Sequence, residues 1–261
     1  MKYMGSKNRL AKYLVPILTK ELTEDRWYVE PFAGGMNMID KINHDKRLAN
    51  DYNNYLIAMW RFLVEKPDFK FPTTIPKELY DTYREMHRIM GIGGNGDTKD
   101  EAMIGWIGFA GSFNGRFFDG GYSSHNSNGR DYIREQINNI LSQVKKMEGT
   151  KFLSFSYDKL DIPANSVIYC DPPYKKTTGY ESSKGFDHDK FWDWCRKKTE
   201  EGHSVFVSEY TAPADFTCIW EKEVTNAMGT TNTYKPIERL FTMKIVGFGK
   251  QKKRNQQPFY T

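Results

Sequence analysis

The chain has 261 residues, a length that suits one large α/β domain or such a domain with a sizeable insertion. Its mean hydropathy of -0.70 and hydrophobic fraction of 39% leave no segment that approaches a membrane span, and no apolar signal core follows Met1, so we expect a cytoplasmic protein. The net charge of +5 is compatible with a polyanionic partner, and the three cysteines lack metal-ligand spacing, which predicts reduced thiols.

The first quarter of the chain predicts a β-α-β-α beginning. In chain order, the predicted elements are a strand over 26–32, a turn over 33–35, a helix opening over 36–42, a strand over 46–51 and a helix over 53–65. Asp51 stands about 20 residues after the first strand, the spacing at which doubly wound folds place a carboxylate on the ribose hydroxyls of a bound nucleotide. The alternative for Asp51 is a helix cap.

This order breaks after residue 65. Prolines punctuate the next segment, and the predicted elements that follow are helices over 78–90 and 100–109 and a Gly-, Asn- and Ser-rich loop over 111–129. Residues 66–129 therefore predict a mostly helical insertion. Insertions of this length on a scaffold commonly carry recognition.

Alternating strands and helices return in the second half of the chain. The predicted elements there are helices over 131–147 and 187–199 and strands over 151–155, 167–170, 204–208, 217–224 and 240–246. Together with the first quarter, they predict a doubly wound, Rossmann-like α/β sheet formed by residues 1–65 and 130–261.

The tetrapeptide Asp171-Pro172-Pro173-Tyr174 follows an apolar strand, so it lies at the carboxyl end of that strand, where open α/β sheets place their chemistry. The Asp171 carboxylate and the Pro172 carbonyl are acceptors suited to an exocyclic amine, and Tyr174 is suited to stack on the ring that carries it. The two prolines fix φ and remove backbone donors from the loop. These properties favour a site for an adenine amine drawn out of a helix.

Four segments occur in an informative order. They are Lys2-Tyr3-Met4-Gly5-Ser6-Lys7, Glu30-Pro31-Phe32-Ala33-Gly34-Gly35, Asp51 and Asp171-Pro172-Pro173-Tyr174. With the insertion between the last two, the chain resembles over nearly its whole length the Dam-type DNA adenine-N6 methyltransferases, the alpha group of amino methyltransferases. The resemblance implies a methyltransferase domain interrupted by a target-recognition domain, S-adenosylmethionine as methyl donor, no metal, and double-stranded DNA whose target adenine is flipped out. We expect a monomer.

Roles follow from the resemblance position by position. The residues implied to bind the cofactor are Tyr3, Lys7, Phe32, Gly34, Asp51, Tyr157 and Asp171. Those implied to act in catalysis are Asp171, Pro172 and Tyr174. Those implied to contact nucleic acid are Lys2, Asn114 and Arg116. An ordinary loop is the alternative for Asn114 and Arg116.

Met36 departs from the family pattern, because it stands where the second glycine of the cofactor loop is expected. Its side chain would crowd the methionine end of the cofactor, or the loop would take a different path. Three other functions remain open: methylation of cytosine N4, of RNA or of a protein glutamine; a non-catalytic nucleic-acid-binding module; and a nucleotide-dependent oxidoreductase. A Gly-x-Gly-x-x-Gly pattern is missing, which counts against the last, and Asp171 favours adenine over cytosine.

Overall fold

A seven-stranded sheet forms the centre of the molecule, with the strand order β3-β2-β1-β4-β5-β7-β6. The computed structural model describes residues 1–123, 129–175, 185–224 and 236–243. The strands are β1 (Tyr28–Glu30), β2 (Arg47–Asn50), β3 (Thr150–Leu153), β4 (Val167–Cys170), β5 (Ser204–Glu209), β6 (Phe216–Glu223) and β7 (Ile237–Met243). Strands β1 to β5 are parallel, and β7 inserts antiparallel between β5 and β6.

Helices cover both faces of this sheet. They are α1 (Ala11–Leu18), α2 (Asn54–Glu65), α3 (Lys77–Met90), α4 (Lys99–Gly111), α5 (Tyr132–Val144) and α6 (His188–Glu200). Side chains alternate across each strand, so Tyr169 packs with α1, α2, α4 and α5, whereas its neighbours Ile168 and Cys170 pack with α6. The doubly wound, Rossmann-like α/β fold predicted from the sequence is thus confirmed.

Side-chain caps explain where four of the helices begin. Asn53 accepts hydrogen bonds from the first turn of α2, and Thr98 forms a capping box with Glu101 at the start of α4. Asp131 and Asp187 cap α5 and α6 in the same way. Each cap stabilises its helix by about 1 kcal/mol, so these boundaries are encoded locally.

The structure differs from the predicted elements in three places: one predicted helix is wrong, one helix was not predicted, and one strand begins earlier than expected. The helix expected over 36–42 is only a 3-10 turn at Ile39–Lys41, because the chain passes through a left-handed conformation at Met36 (φ +57°). Helix α1 was not predicted, and it contains Pro16 and has no side-chain cap. The strand expected over 240–246 begins earlier, at Ile237, and residues 244–246 lie outside the described part of the chain.

Helix α4 packs directly on α2. A Cβ atom at Gly105 would lie 2.0 Å from the Tyr55 carbonyl oxygen, so glycine is needed for this approach. The buried Asn54 amide donates to Glu101 across the same interface, at 2.7 Å. The helices between residues 66 and 123 therefore share one hydrophobic core with the sheet. The division into a catalytic domain and a recognition insertion stays a prediction.

The sheet has a topological switch point between β1 and β4. The chain leaves β1 toward β2 and leaves β4 toward β5, so the two connections diverge and open a crevice at the carboxyl ends of these strands. Ligands of open α/β sheets bind in such crevices.

Candidate functional site

A cavity of about 530 Å³ opens at the switch point. Nine of the residues that the sequence analysis assigned to cofactor binding or catalysis line it: Tyr3, Lys7, Phe32, Gly34, Asp51, Tyr157, Asp171, Pro172 and Tyr174. They come from five separate stretches of the chain, which the sheet brings to one edge. Cavities of this size hold ligands of nucleoside dimensions.

The loop after β1 forms one wall of the cavity and packs on Tyr3. Gly34 adopts a φ of +46°, and a Cβ atom added to it would lie 2.8 Å from the Tyr3 ring. Gly35 is just as close, because its Cβ atom would lie 2.6 Å from Tyr3 Cβ. Both glycines are therefore required for the N-terminal segment to reach the cavity.

Met36 does not face the cavity. Its side chain is fully buried in the core beneath the loop, and the cavity lining passes from Gly35 to Asn37. The second alternative of the sequence analysis, a different loop path, thus describes this position. The left-handed backbone of a non-glycine residue costs on the order of 1 kcal/mol, which burial of the methionine side chain offsets.

Asp51 supports the same loop from the end of β2. Its Oδ2 accepts from the Gly34 amide and its Oδ1 from the Asn53 amide, each at 2.9 Å. Burial raises the pKa of the Asp51 carboxyl, and these two amide donors oppose the shift. The N-cap of α2 is Asn53, so the helix-cap alternative for Asp51 is wrong.

Four polar side chains meet where the segment Asp171–Tyr174 enters the cavity. Lys7 Nζ lies 2.9 Å from Asp171 Oδ1 and 3.9 Å from Glu238 Oε2. The Tyr174 hydroxyl donates to Glu238 Oε2 at 2.7 Å, and Lys7 Nζ lies 4.5 Å from the centre of the Tyr174 ring. Lys7 thus contacts both acids and the aromatic ring.

The charges of this cluster depend on one another. Burial lowers the pKa of the Lys7 ammonium, but Asp171 and Glu238 outweigh burial and raise it above its ordinary value, so Lys7 stays charged. Burial raises the pKa of the Asp171 carboxyl, and the Lys7 charge is the largest effect that opposes it. Lys7 is therefore the strongest influence that favours the ionised form of Asp171 against burial.

An aromatic cluster closes the opposite side of the cavity. The Phe32 ring contacts Tyr157, Phe186 and Phe191, with ring centres 5.3 to 5.8 Å apart. Phe191 and Trp194 come from α6, so this helix holds the cluster against the sheet. The cavity thus has an apolar side and a charged side, which are the two chemical characters of a nucleoside attached to an amino acid.

Three acids near the segment Asp171–Tyr174 were given no role by the sequence analysis, and two of them, Glu30 and Glu209, are buried. Glu238 enters from β7, Glu30 ends β1 and lines the cavity, and Glu209 ends β5. Glu209 accepts from the backbone amides of Lys175 at 3.1 Å and Tyr210 at 2.7 Å, and burial raises its pKa to about 7. An acid at the carboxyl end of a predicted strand was a usable signal for Glu30 and Glu209. The sequence around Glu238 contains no such signal.

The residues predicted to contact nucleic acid lie outside the cavity but close to one another. A Cβ atom at Gly115, between Asn114 and Arg116, would lie 2.2 Å from the Lys2 carbonyl oxygen. Asn114 is exposed and left-handed (φ +55°), and Lys2 pairs with Glu135 at 3.3 Å. The structure thus forms a second cluster from these three residues, and their role stays a prediction.

Among the residues that the structure describes, no helix is both long and apolar enough to cross a membrane. Within the same ranges, no group of three or more His, Cys, Asp or Glu side chains is arranged to hold a metal ion.

The sequence matches a family model described as D12 class N6 adenine-specific DNA methyltransferase. The match covers residues 3–89 and 110–239, and so includes all segments that line the cavity. It omits residues 90–109, which contain most of α4.

Similar proteins include bacterial DNA methylases. The chain is 26% identical over 239 residues to a DNA adenine methylase of Vibrio cholerae, covering 80% of each chain. It is 24% identical to the modification methylase StsI of Streptococcus sanguinis and 25% identical to the type II methyltransferase M.FokI of Planomicrobium okeanokoites. These matches cover 74% and 75% of this chain but only 31% of each relative, so the chain spans about a third of their length.

Proposed function

The chain belongs to the D12 class of N6 adenine-specific DNA methyltransferases, and from this premise we propose that it transfers a methyl group from S-adenosylmethionine to N6 of adenine in double-stranded DNA. The observation that carries the proposal is the ion pair between Lys7 and Asp171, 2.9 Å long. It lies in a cavity that is also lined by Asp51 and by the glycine loop, the loop after β1 with Gly34 and Gly35.

The cavity suits the methyl donor in size and in the groups it offers. Asp51 would accept hydrogen bonds from the ribose hydroxyls, since its backbone donors occupy only part of its acceptor capacity. Phe32 and Tyr157 would contact the apolar part of the nucleoside, while Gly34 and Tyr3 shape the wall beside it. When bound, the donor supplies an electrophilic methyl group on a sulfonium sulfur.

Asp171 and Pro172 would then act on the target amine. The N6 lone pair is delocalised into the adenine ring, and acceptors for both N–H groups favour a geometry that aims the lone pair at the methyl carbon. The N6–C bond would form as the S–C bond breaks, which leaves the donor as a neutral thioether. The proton that N6 loses would pass to the Asp171 carboxylate that accepts its hydrogen bond. The contribution of the protein is mainly positioning and electrostatic stabilisation.

Lys7 and Glu238 would act by holding the two catalytic side chains. Lys7 keeps Asp171 in the ionised form that accepts the amine hydrogen, and Glu238 fixes the Tyr174 hydroxyl. The adenine would stack on Tyr174, and stacking of about 1–3 kcal/mol offsets much of the cost of flipping the base.

We also propose how the protein meets DNA and where in the cell it acts. Lys2, Asn114 and Arg116 would contact the duplex around the flipped base, and the protein would act as a monomer in the cytoplasm. Two of the similar proteins are named as a modification methylase and a type II methyltransferase. We therefore also propose that this protein acts alongside a restriction enzyme.

Genomic sequencing tests the proposal directly. The protein, expressed in cells that lack DNA methylation, should produce N6-methyladenine at a defined sequence. Asp171→Ala should abolish this signal, while Asp161→Ala, a matched change of an exposed acid, should leave it intact. Unmodified adenine in every sequence context, from a folded protein that binds S-adenosylmethionine, would contradict the proposal.

A further inference from the structure

Three exposed cations lie on elements that also carry residues of the candidate site, and none of them has an acidic partner within the part of the chain that the structure describes. They are Arg9, Lys12 and Lys222, which we call the basic rim. Among the described residues, no carboxylate lies within ion-pair distance of any of them. Several other cations of the molecule are paired with acids: Lys190 with Asp158, Arg196 with Asp215 and Arg239 with Glu221.

The basic rim is anchored to the walls of the cavity. Arg9 belongs to the same 3-10 turn as Lys7 (Lys7–Arg9), and Lys12 stands in the first turn of α1, which follows directly. Lys222 pairs in the sheet with Glu238, the acid that holds Tyr174. Each cation is thus within a few residues, or one strand, of a side chain that lines the cavity.

Tyr13 draws two of these cations together. Lys12 Nζ lies 5.0 Å and Lys222 Nζ 4.4 Å from the centre of its ring, and Lys222 Nζ lies 3.2 Å from its hydroxyl. Tyr13 itself stacks on Trp220 of β6, with ring centres 6.0 Å apart. The ring therefore holds two like charges side by side, an arrangement that an anion between or above them would stabilise.

Two cations of the basic rim also line a shallow surface groove. Arg9 and Lys12 line it together with Asn8, Lys41 and apolar residues of α1. The surface beside these two cations is therefore concave.

We propose that the basic rim binds phosphates of the DNA duplex that flanks the flipped adenine. The proposal rests on the function proposed above, and charge complementarity selects the occupant: duplex DNA carries one negative charge per about 1.7 Å of helix axis. When an adenine of the duplex enters the cavity, the flanking duplex must lie across the edge of the cavity. The cations of the basic rim lie near that edge and would meet the phosphates. Such contacts position the duplex and carry no sequence information.

The test is the salt dependence of DNA binding. A triple variant, Arg9→Ala with Lys12→Ala and Lys222→Ala, is compared with a control triple, Lys20→Ala with Lys145→Ala and Lys146→Ala. The control also removes three exposed cations, but from the 3-10 turn that follows α1 and the one that precedes β3, at the end of the sheet where the parallel strands begin. Affinity for a labelled duplex of mixed sequence is measured across a range of salt concentrations.

Each lost phosphate contact should lower the slope of log affinity against log salt by about 0.9, so the rim variant should lose about 2–3 in slope and the control variant almost none. Equal slopes for the two variants would overturn the inference. Calorimetry with S-adenosylmethionine should give wild-type affinity for both. Wild-type protein that binds DNA with a steep slope but methylates no adenine would instead refute the proposed function and leave the inference standing.

Discussion

At the scale of single residues, the candidate site depends on buried charges that hold each other in place. Lys7 is the only cation that contacts Asp171 among the described residues, and it is 6% exposed. Replacing Lys7 with Gln removes the charge that opposes the effect of burial on Asp171.

We expect Lys7→Gln to raise the pKa of Asp171 further, so that the acid limb of the pH–rate profile moves to higher pH. Activity would fall at a pH where the wild type is still active and recover as pH rises. Methyl transfer measured at saturating substrates across pH 5–9 tests this, with Lys20→Gln as the matched exposed control. An unshifted acid limb, with activity lowered equally at every pH, would contradict the role given to Lys7.

Glu209 offers a second test at this scale, on stability. Its pKa is raised to about 7 by burial, so its contribution to stability is full below its unfolded pKa and is lost as pH rises through 7. Relative to Glu209→Gln, the wild type should lose up to about 2 kcal/mol of unfolding free energy between pH 5 and pH 8, a value discounted for partial solvation. Urea denaturation at both pH values measures it. A wild type that gains stability over this range relative to the variant would show the opposite sign and refute the assignment.

At the scale of elements, the sequence predicts what local signals encode. Strand β4 was located from its continuous apolar run. Helices α2 and α6 were located because apolar periodicity begins next to a residue that caps the helix. Helix α1 lacks both a cap and an uninterrupted pattern, and tertiary packing of Leu14 and Leu18 stabilises it instead. For the same reason, no local pattern reveals that β7 brings Glu238 to Tyr174.

The glycine loop provides a prediction at this scale. Met36→Gly removes the left-handed strain but also a fully buried side chain, so it should lower the unfolding free energy by about 1–4 kcal/mol. Affinity for S-adenosylmethionine should not improve, because Met36 does not line the cavity. Met36→Leu, which conserves volume, should cost less than about 1.5 kcal/mol. Calorimetric binding that tightens in Met36→Gly would show that the methionine does crowd the cofactor.

At the scale of the whole molecule, the cavity joins segments that are remote in sequence. Its walls come from residues 3–7, the ends of β1 and β2, the segment after β3, residues 171–174 and β7. The sequence predicted most of these segments individually, since each carries a recognisable residue type at a strand end. Their convergence follows from the strand order, which periodicity alone does not determine.

Because the cavity is built from the whole chain, ligand binding should stabilise the whole fold. S-adenosylmethionine at about 100 times its dissociation constant should add about 2.7 kcal/mol to the unfolding free energy and raise Tm by about 5–10 °C. In Asp51→Ala, loss of one charge-assisted hydrogen bond of about 1.5–3 kcal/mol weakens binding 10-fold or more, so the same ligand concentration should shift Tm by only a few degrees at most. Each variant is compared with itself without ligand, because Asp51 also holds the Gly34 and Asn53 amides. Asp161→Ala should retain the full shift, and an equal shift in Asp51→Ala would remove Asp51 from the cofactor site.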